Sequence, residues 1–198
     1  MTAPSPVERL KEALRALEAE IDAELDQSRD RLRYRIERGR IRFDREVLAR
    51  HRAAKVRLRE FLGAARPMVI LTAPVIYALI LPFALLDLFV SLYQAICFPV
   101  YGIAKVRRAD HIAIDRQHLA YLNGLQKLNC VYCGYCNGLI SFVREVAGRT
   151  EQYWCPIKHA RRMAGTHEQY GDFVAYGDAE GFREGSEGLR ERLKEGKG

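Results

Sequence analysis

Four of the five cysteines fall within 26 residues, between positions 130 and 155. Cys130, Cys133 and Cys136 are spaced three apart, and Cys155 follows after a further 18 residues. Thiolates at positions i and i+3 can converge on one metal ion, and a more distant element can complete the site. His159, four residues after Cys155, adds a nitrogen ligand of the same class. The spacing therefore predicts a small segment held together by a metal.

Two ligand sets are compatible with this pattern. A tetrahedral zinc or mononuclear iron site would use Cys130, Cys133, Cys155 and His159. A [4Fe–4S] cluster would instead use Cys136 as its fourth ligand. The Cys-x-x-Cys-Gly-Tyr and Trp-Cys-Pro pieces resemble the two knuckles of rubredoxin, although the last cysteine of that pattern is missing. The Cys-x-x-Cys-Gly-x-Cys run with its remote Cys-Pro resembles a single-cluster ferredoxin, which implies electron transfer.

A third hypothesis needs no metal, because the thiols could be free and buried, or one Cys-x-x-Cys pair could switch as a disulfide. The sequence has no nucleophile elbow, no phosphate-binding glycine loop and no paired His–Glu zinc motif. It therefore favours a protein that is not an enzyme and identifies no small-molecule substrate.

Helices are expected around the cysteines, with leucines forming an apolar face before Cys130 and a second helix over 139–147. Asn137-Gly138 predicts a break between them. Residues 126–162 are similar to a segment of an uncharacterised bacterial membrane-protein family. That resemblance implies a membrane protein and no particular activity.

The elements that position the cysteines begin with an apolar segment, 67–104, in which Asp87 is the only Asp, Glu, Lys or Arg. Met68 to Ala104 is 37 residues, whereas one membrane span needs about 20. The length predicts two spans or a re-entrant helical hairpin, with Asp87 as the hairpin tip at the far surface. One tilted and kinked span is the alternative, and Asp87 as a proton or ion site is a second hypothesis for that residue.

Basic residues flank the apolar segment on both sides, with five in 51–66 and four in 105–116. The positive-inside rule then predicts that both ends, and the cysteines, face the cytoplasm at a bacterial inner membrane. The formal net charge of +7 suits anionic lipid, and no groove-reading motif for nucleic acid is present.

Residues 1–66 carry 17 Lys or Arg and 12 Asp or Glu and contain no long apolar run. Steps of three, four and four from Leu14 to Phe61 meet apolar residues at every position except Ser28, Gly39 and Arg50. This eleven-residue period predicts one long amphipathic helix over 6–62. Its apolar stripe, within 14–61, needs a partner helix or a second copy of the chain.

The sequence thus predicts a mainly α fold in four parts: a long amphipathic helix (1–66), a membrane hairpin (67–104), a small helical metal-binding cap (105–163) and a polar tail (164–198). The expected function is a membrane-anchored structural or scaffolding protein with a zinc or iron site facing the cytoplasm. The alternative is a membrane-bound electron-transfer protein carrying a [4Fe–4S] cluster.

Overall fold

The computed structural model describes residues 6–37 and 40–194. It is 73% helix and 4% strand and contains a long apolar helix, which confirms the mainly α fold. The predicted metal-binding cap is not seen in the described part of the chain. The chain forms two compact units, one drawn from 1–61 and 115–127 and the other from 62–114 and 128–198.

The first unit opens with α1 (Pro6–Leu32), which is rich in Ala, Leu, Glu and Arg, all strong helix formers. Apolar side chains recur on one face of this helix at steps of three and four residues. Their exposed fractions run from 49% to 70%: Leu10, Leu14, Leu17, Ile21 and Leu25. The predicted amphipathic helix is therefore present in this region, and its apolar face is uncovered within the chain.

The prediction that this helix continues to residue 62 is wrong. α1 ends at Leu32, and Arg33 takes a left-handed conformation with φ 55°. β1 (Tyr34–Glu37) and β2 (Arg40–Phe43) then form an antiparallel hairpin in which Tyr34 pairs with Phe43. The cause is a period-two alternation of apolar and charged residues over 34–43, which suits a half-solvated strand pair. Gly39, the predicted weak point of the long helix, lies outside the described residues.

The hairpin leads into α2 (Arg45–Ala53), and α3 (Leu58–Gly63) connects the first unit to the second. Arg33 pairs with Asp44 at 3.4 Å and with Glu46 at 3.1 Å, which ties the end of α1 to the start of α2. Four aromatic rings then form a chain of tilted and edge-to-face contacts within this unit, with centroids 4.9–5.5 Å apart: Tyr34, Phe43, His51 and Tyr121. These ring contacts link the hairpin to α2 and to Tyr121.

The second unit contains the apolar segment. α4 (Pro67–Ala78) and α5 (Ile80–Tyr101) are joined by Leu79 alone, which keeps a helical conformation with φ −62° and ψ −14°. Together they form one helical stretch of 35 residues, Pro67–Tyr101. The apolar segment is therefore one helical stretch, as in the alternative prediction of a single helix, and not a hairpin.

The predicted break at Asn137-Gly138 is also absent. After α6 (Arg108–His111), α7 runs without interruption from Gly124 to Trp154. A Cβ at Gly138 would lie 2.7 Å from the backbone oxygen of His111 and 2.8 Å from Cα of Ile112. The glycine therefore allows a neighbouring backbone to approach α7, and it does not mark a turn.

The core of this unit lies between α5, α7, the connecting segment after α5, and α8 (Ala179–Lys194). The side chain of Gln94 accepts from the backbone N–H of Val106 at 2.8 Å and donates to its carbonyl at 3.3 Å. This reciprocal pair fixes the connecting segment against α5 without leaving a buried amide unsatisfied. The fully or nearly buried apolar residues are Phe98, Ile103, Val106, Leu139, Phe142, Val146 and Leu193.

Candidate membrane-binding face and cysteine segment

The long apolar helix has two different faces. One face is exposed along its whole length, and its residues recur at helical steps of three and four, except for one step of two between Leu79 and Leu81. Their exposed fractions run from 48% to 77%: Met68, Leu71, Val75, Leu79, Leu81, Leu85, Leu88, Leu92, Ile96 and Val100. A contiguous apolar surface of this length is unusual on a protein that stays in water, and it indicates a lipid or protein contact.

The opposite face contacts α7 through long side chains that bear polar groups. The contacts advance along both helices in the same direction, so the two helices run parallel. The Tyr132 hydroxyl donates to the carbonyl of Ile76 at 2.7 Å, and farther along, the Tyr93 hydroxyl lies 3.0 Å from Oγ1 of Thr150. At the far end, Tyr101 stacks on Tyr153 with ring centroids 5.1 Å apart, and near the start Tyr77 bonds Asn129.

Asp87 lies on this protein-facing side, within α5, and the prediction that it forms a hairpin tip is wrong. The Arg108 guanidinium donates to both carboxylate oxygens, with Nη2 2.9 Å from Oδ2. The Tyr135 hydroxyl donates to Oδ2 at 2.9 Å, and the Ser91 hydroxyl donates to Oδ1 at 3.1 Å. The carboxylate therefore has a charge partner and two neutral donors, which compensates its removal from water.

The electrostatics of this cluster favour the charged pair. The hydrogen bond to Asp87 raises the pKa of Arg108, so the guanidinium stays protonated. Burial, followed by the hydrogen bond to Asp87, raises the pKa of Tyr135 to about 12. Tyr135 thus remains a neutral donor to the carboxylate at all physiological pH values, and the cluster acts as a fixed polar contact between α5, α6 and α7.

We predict that Arg108→Gln lowers the free energy of unfolding by about 1–2 kcal/mol, since it leaves a largely buried carboxylate without its charge partner. Arg107→Gln is the matched control, because the Arg107 side chain is 79% exposed and its ion pair with Asp110 is long, with Nε 3.9 Å from Oδ2. Its effect should stay within about 0.5 kcal/mol. Urea unfolding of the detergent-solubilised protein, followed by circular dichroism, measures both. Equal effects of the two substitutions would contradict a structural role for the cluster.

The cysteines do not converge. Cys130, Cys133 and Cys136 lie on successive turns of α7, whereas Cys155 follows the end of that helix. At 1.5 Å per residue, the 22 residues from Cys133 to Cys155 separate them by about 33 Å along the axis. His159 lies beyond, with its ring stacked on Tyr170 at 6.0 Å.

The structure therefore assembles neither predicted ligand set, the one with His159 or the one with Cys136. Within the described ranges, no three His, Cys, Asp or Glu side chains are grouped to hold a metal ion. The physical reason is local, because a knuckle needs a turn of irregular backbone between its two thiolates. Here the Cys-x-x-Cys-Gly-x-Cys run continues as helix, with Gly134 buried inside α7.

All five cysteines are free thiols in very different surroundings. Cys136 is buried at 5% exposure, whereas Cys133 and Cys155 are exposed. Burial raises the pKa of the Cys136 thiol, and a hydrogen bond with the Tyr132 hydroxyl offsets part of this effect. The thiolate is the reactive form, so both burial and the raised pKa protect Cys136.

We predict that, in single-cysteine variants, Cys136 reacts with a maleimide at pH 7.5 about tenfold or more slowly than Cys155. Its rate should keep rising as the pH increases, because its thiolate population is still growing where an ordinary thiol is largely ionised. Labelling followed by mass spectrometry measures the rates in the folded and the urea-unfolded protein. Equal rates in the folded state would contradict the burial of Cys136.

Sequence reasoning missed two partners of Asp87. These are Arg108 and Tyr135, which are 21 and 48 residues away from it along the chain. The only signal was that a lone carboxylate in an apolar segment requires some partner. It also missed a basic loop after α7, in which Lys158, Arg161 and Arg162 stand without a nearby acid in sequence.

Comparisons with protein-family models, curated proteins and solved structures found no match to this chain.

Proposed function

We propose that this protein is a membrane-anchored scaffold whose α4–α5 helix binds the bilayer and whose remaining helices are held at the membrane surface. The observation that supports this proposal most strongly is the difference between the two sides of the α4–α5 helix. One side packs on α7, and the other is apolar and exposed from Met68 to Val100. Mean hydropathy over its most apolar 18 residues is 2.4, and none of that window is buried. Lipid is the environment that suits such a face.

The neighbouring helix favours an orientation along the membrane surface. The 35-residue helix is about 52 Å long, well above a hydrocarbon thickness of about 30 Å. α7 accompanies it in parallel and carries a charged stretch, with Arg149 bonded to Glu145 at 2.7 Å and Thr150 in contact with Tyr93 of α5. A crossing of the whole helix would draw those charges toward the hydrocarbon, at several kcal/mol each. A helix that lies in the interface with only its outer face in lipid avoids that cost.

Charge at both ends of the helix supports the same arrangement. Arg66 stands immediately before α4, and Lys105 and Arg107 follow α5, all three exposed. Basic groups near an anionic leaflet each contribute about 1 kcal/mol of attraction. Bases at both ends suit a helix with both ends on one side, and the inner leaflet of a bacterial membrane is our proposed location.

The scaffolding part of the proposal rests on α1. Its apolar stripe from Leu10 to Leu25 is exposed, although a helix with such a face normally covers it with a partner. We propose a second copy of the chain as that partner. The protein would then combine membrane attachment through α4–α5 with self-association through α1, which are the two properties that a membrane scaffold requires.

We predict that the double variant Leu85→Asp and Leu92→Asp leaves the membrane fraction, because it removes apolar area from the lipid-facing side and places two charges there. Tyr176→Asp is the matched control, since Tyr176 is 70% exposed but lies in the loop before α8. Alkaline extraction of membranes followed by immunoblotting measures the distribution. Retention of the double variant in the pellet would contradict anchoring by this face.

The orientation of the helix is tested by two added thiols, Gly63→Cys and Ala109→Cys, in a chain that carries Cys133→Ser and Cys155→Ser. Gly63 has open space around its Cα, and Ala109 is exposed. A membrane-impermeant maleimide should label both thiols in inside-out vesicles and neither in intact spheroplasts. Labelling of the two positions from opposite sides would contradict a helix that lies in one leaflet.

We predict that Leu17→Asp shifts the detergent-solubilised protein toward the monomer by about tenfold or more in dissociation constant, because a charge would lie within the apolar stripe. Ala19→Asp is the matched control, since it adds the same charge on the opposite face of α1, about 180° away on a helical projection. Analytical ultracentrifugation measures the assembly. A wild-type monomer, or equal weakening by both variants, would contradict self-association through α1.

A further inference from the structure

The loop after α7 carries basic residues, lines an open cavity, and is hydrogen-bonded at both ends to neighbouring segments. Ile157 bridges to Val174, and the Lys158 backbone N–H donates to the Val174 carbonyl at 2.8 Å. The His159 N–H donates to the Tyr170 hydroxyl oxygen at 2.7 Å. Arg144, on α7, donates to the carbonyl of Thr166 at the other end of the loop. The ends of the loop are thus anchored, while the segment between them arches over an open cavity of about 910 Å³.

The cavity has an excess of cationic donors. Its lining includes Lys158, His159, Arg161, Arg162, Thr166 and Tyr170. No Asp or Glu occurs from residue 152 to residue 167. In the part of the chain that the structure describes, Lys158, Arg161 and Arg162 make no ion pair with a carboxylate. Three uncompensated cations around one concavity create a positive potential that an anion would relieve.

Two acids on α7 near the loop, Glu145 and Glu151, already have other partners. Glu151 lies 2.9 Å from Nε2 of His167, and Glu145 accepts from Arg149 at 2.7 Å. The side-chain amide of Gln169 donates to the same Glu145 carboxylate at 2.9 Å. A Cβ at Gly148 would come within 2.9 Å of the His167 ring, so this glycine lets the frame lie close against α7. Among the described residues, neither Glu145 nor Glu151 therefore makes an ion pair with a cation of the loop.

We infer that this basic loop, residues 157–166, binds a phosphate group carried by a larger molecule. Two arginines provide planar donor forks that match phosphate oxygens, Lys158 adds a point charge, and the Thr166 and Tyr170 hydroxyls are neutral donors. The Tyr170 oxygen accepts from His159, which leaves its proton free to donate. The cavity is far larger than inorganic phosphate, so a diphosphate or phosphodiester head group is the fitting class. The inference goes beyond membrane anchoring and stands without it.

The first arm of the test uses the purified full-length protein in a neutral detergent at low salt, titrated with inorganic pyrophosphate by isothermal calorimetry. Arg161→Gln and Arg162→Gln should each weaken binding about fivefold or more, the effect of losing one close cationic contact. Arg183→Gln removes the same charge from an exposed position on α8 and should leave binding unchanged. Binding should also weaken as the ionic strength rises.

The second arm distinguishes a lipid head group from a soluble phosphate ester. The same four proteins are compared for flotation with vesicles of phosphatidylcholine alone and of phosphatidylcholine with phosphatidylglycerol. Anionic-lipid binding that falls in Arg161→Gln and Arg162→Gln but not in Arg183→Gln identifies the head group. Pyrophosphate binding without this lipid effect identifies a soluble phosphate ester, and either result supports the site. Absence of both responses, or an equal loss in all three variants, would overturn it.

Discussion

The contact between α5 and α7 is the constraint on which the second unit depends. An apolar helix alone has no preferred face, and hydrophobic burial is non-directional. The Asp87 carboxylate supplies direction, because it must lie where Arg108, Ser91 and Tyr135 can reach it. Once this position is set, helical geometry places Val90, Gln94 and Phe98 on the protein side and leaves the opposite leucines outward.

The same contact explains how one helix can pack on a folded core with one face and leave an exposed apolar face on the other side. Phe98 is fully buried, yet Ile96, two residues earlier, is 58% exposed. Both side chains are apolar, so composition does not distinguish the two faces. The polar groups that face α7 do, because each of them has a partner there and would have none in lipid. Folding therefore uses one side of α5, and the proposed membrane contact uses the opposite side.

The continuity of α7 has the largest consequence for chemistry. A helix rises 1.5 Å per residue, so residues that a turn would bring together are carried apart. Cys155 is separated in this way from Cys130, Cys133 and Cys136, and the His159 ring stacks on Tyr170. The helix also presents its last turns to the loop that follows, and so holds the cations of that loop around one cavity. The cysteine spacing predicts a metal site in this segment, but its distinctive chemical feature is the positive charge around Arg161 and Arg162.

The sequence by itself determined what depends on neighbours along the chain. The helices follow from propensity and from apolar residues at steps of three and four, and the apolar stretch around Asp87 follows from composition alone. The alternation over 34–43 was equally local, but the longer helical period masked it, since Ile36 and Phe43 fit both patterns. Tertiary structure decided the rest: the approach of Arg108 and Tyr135 to Asp87, and the exposed and buried sides of α5. Each depends on groups 20 or more residues apart, and their meeting is set by packing that no local pattern encodes.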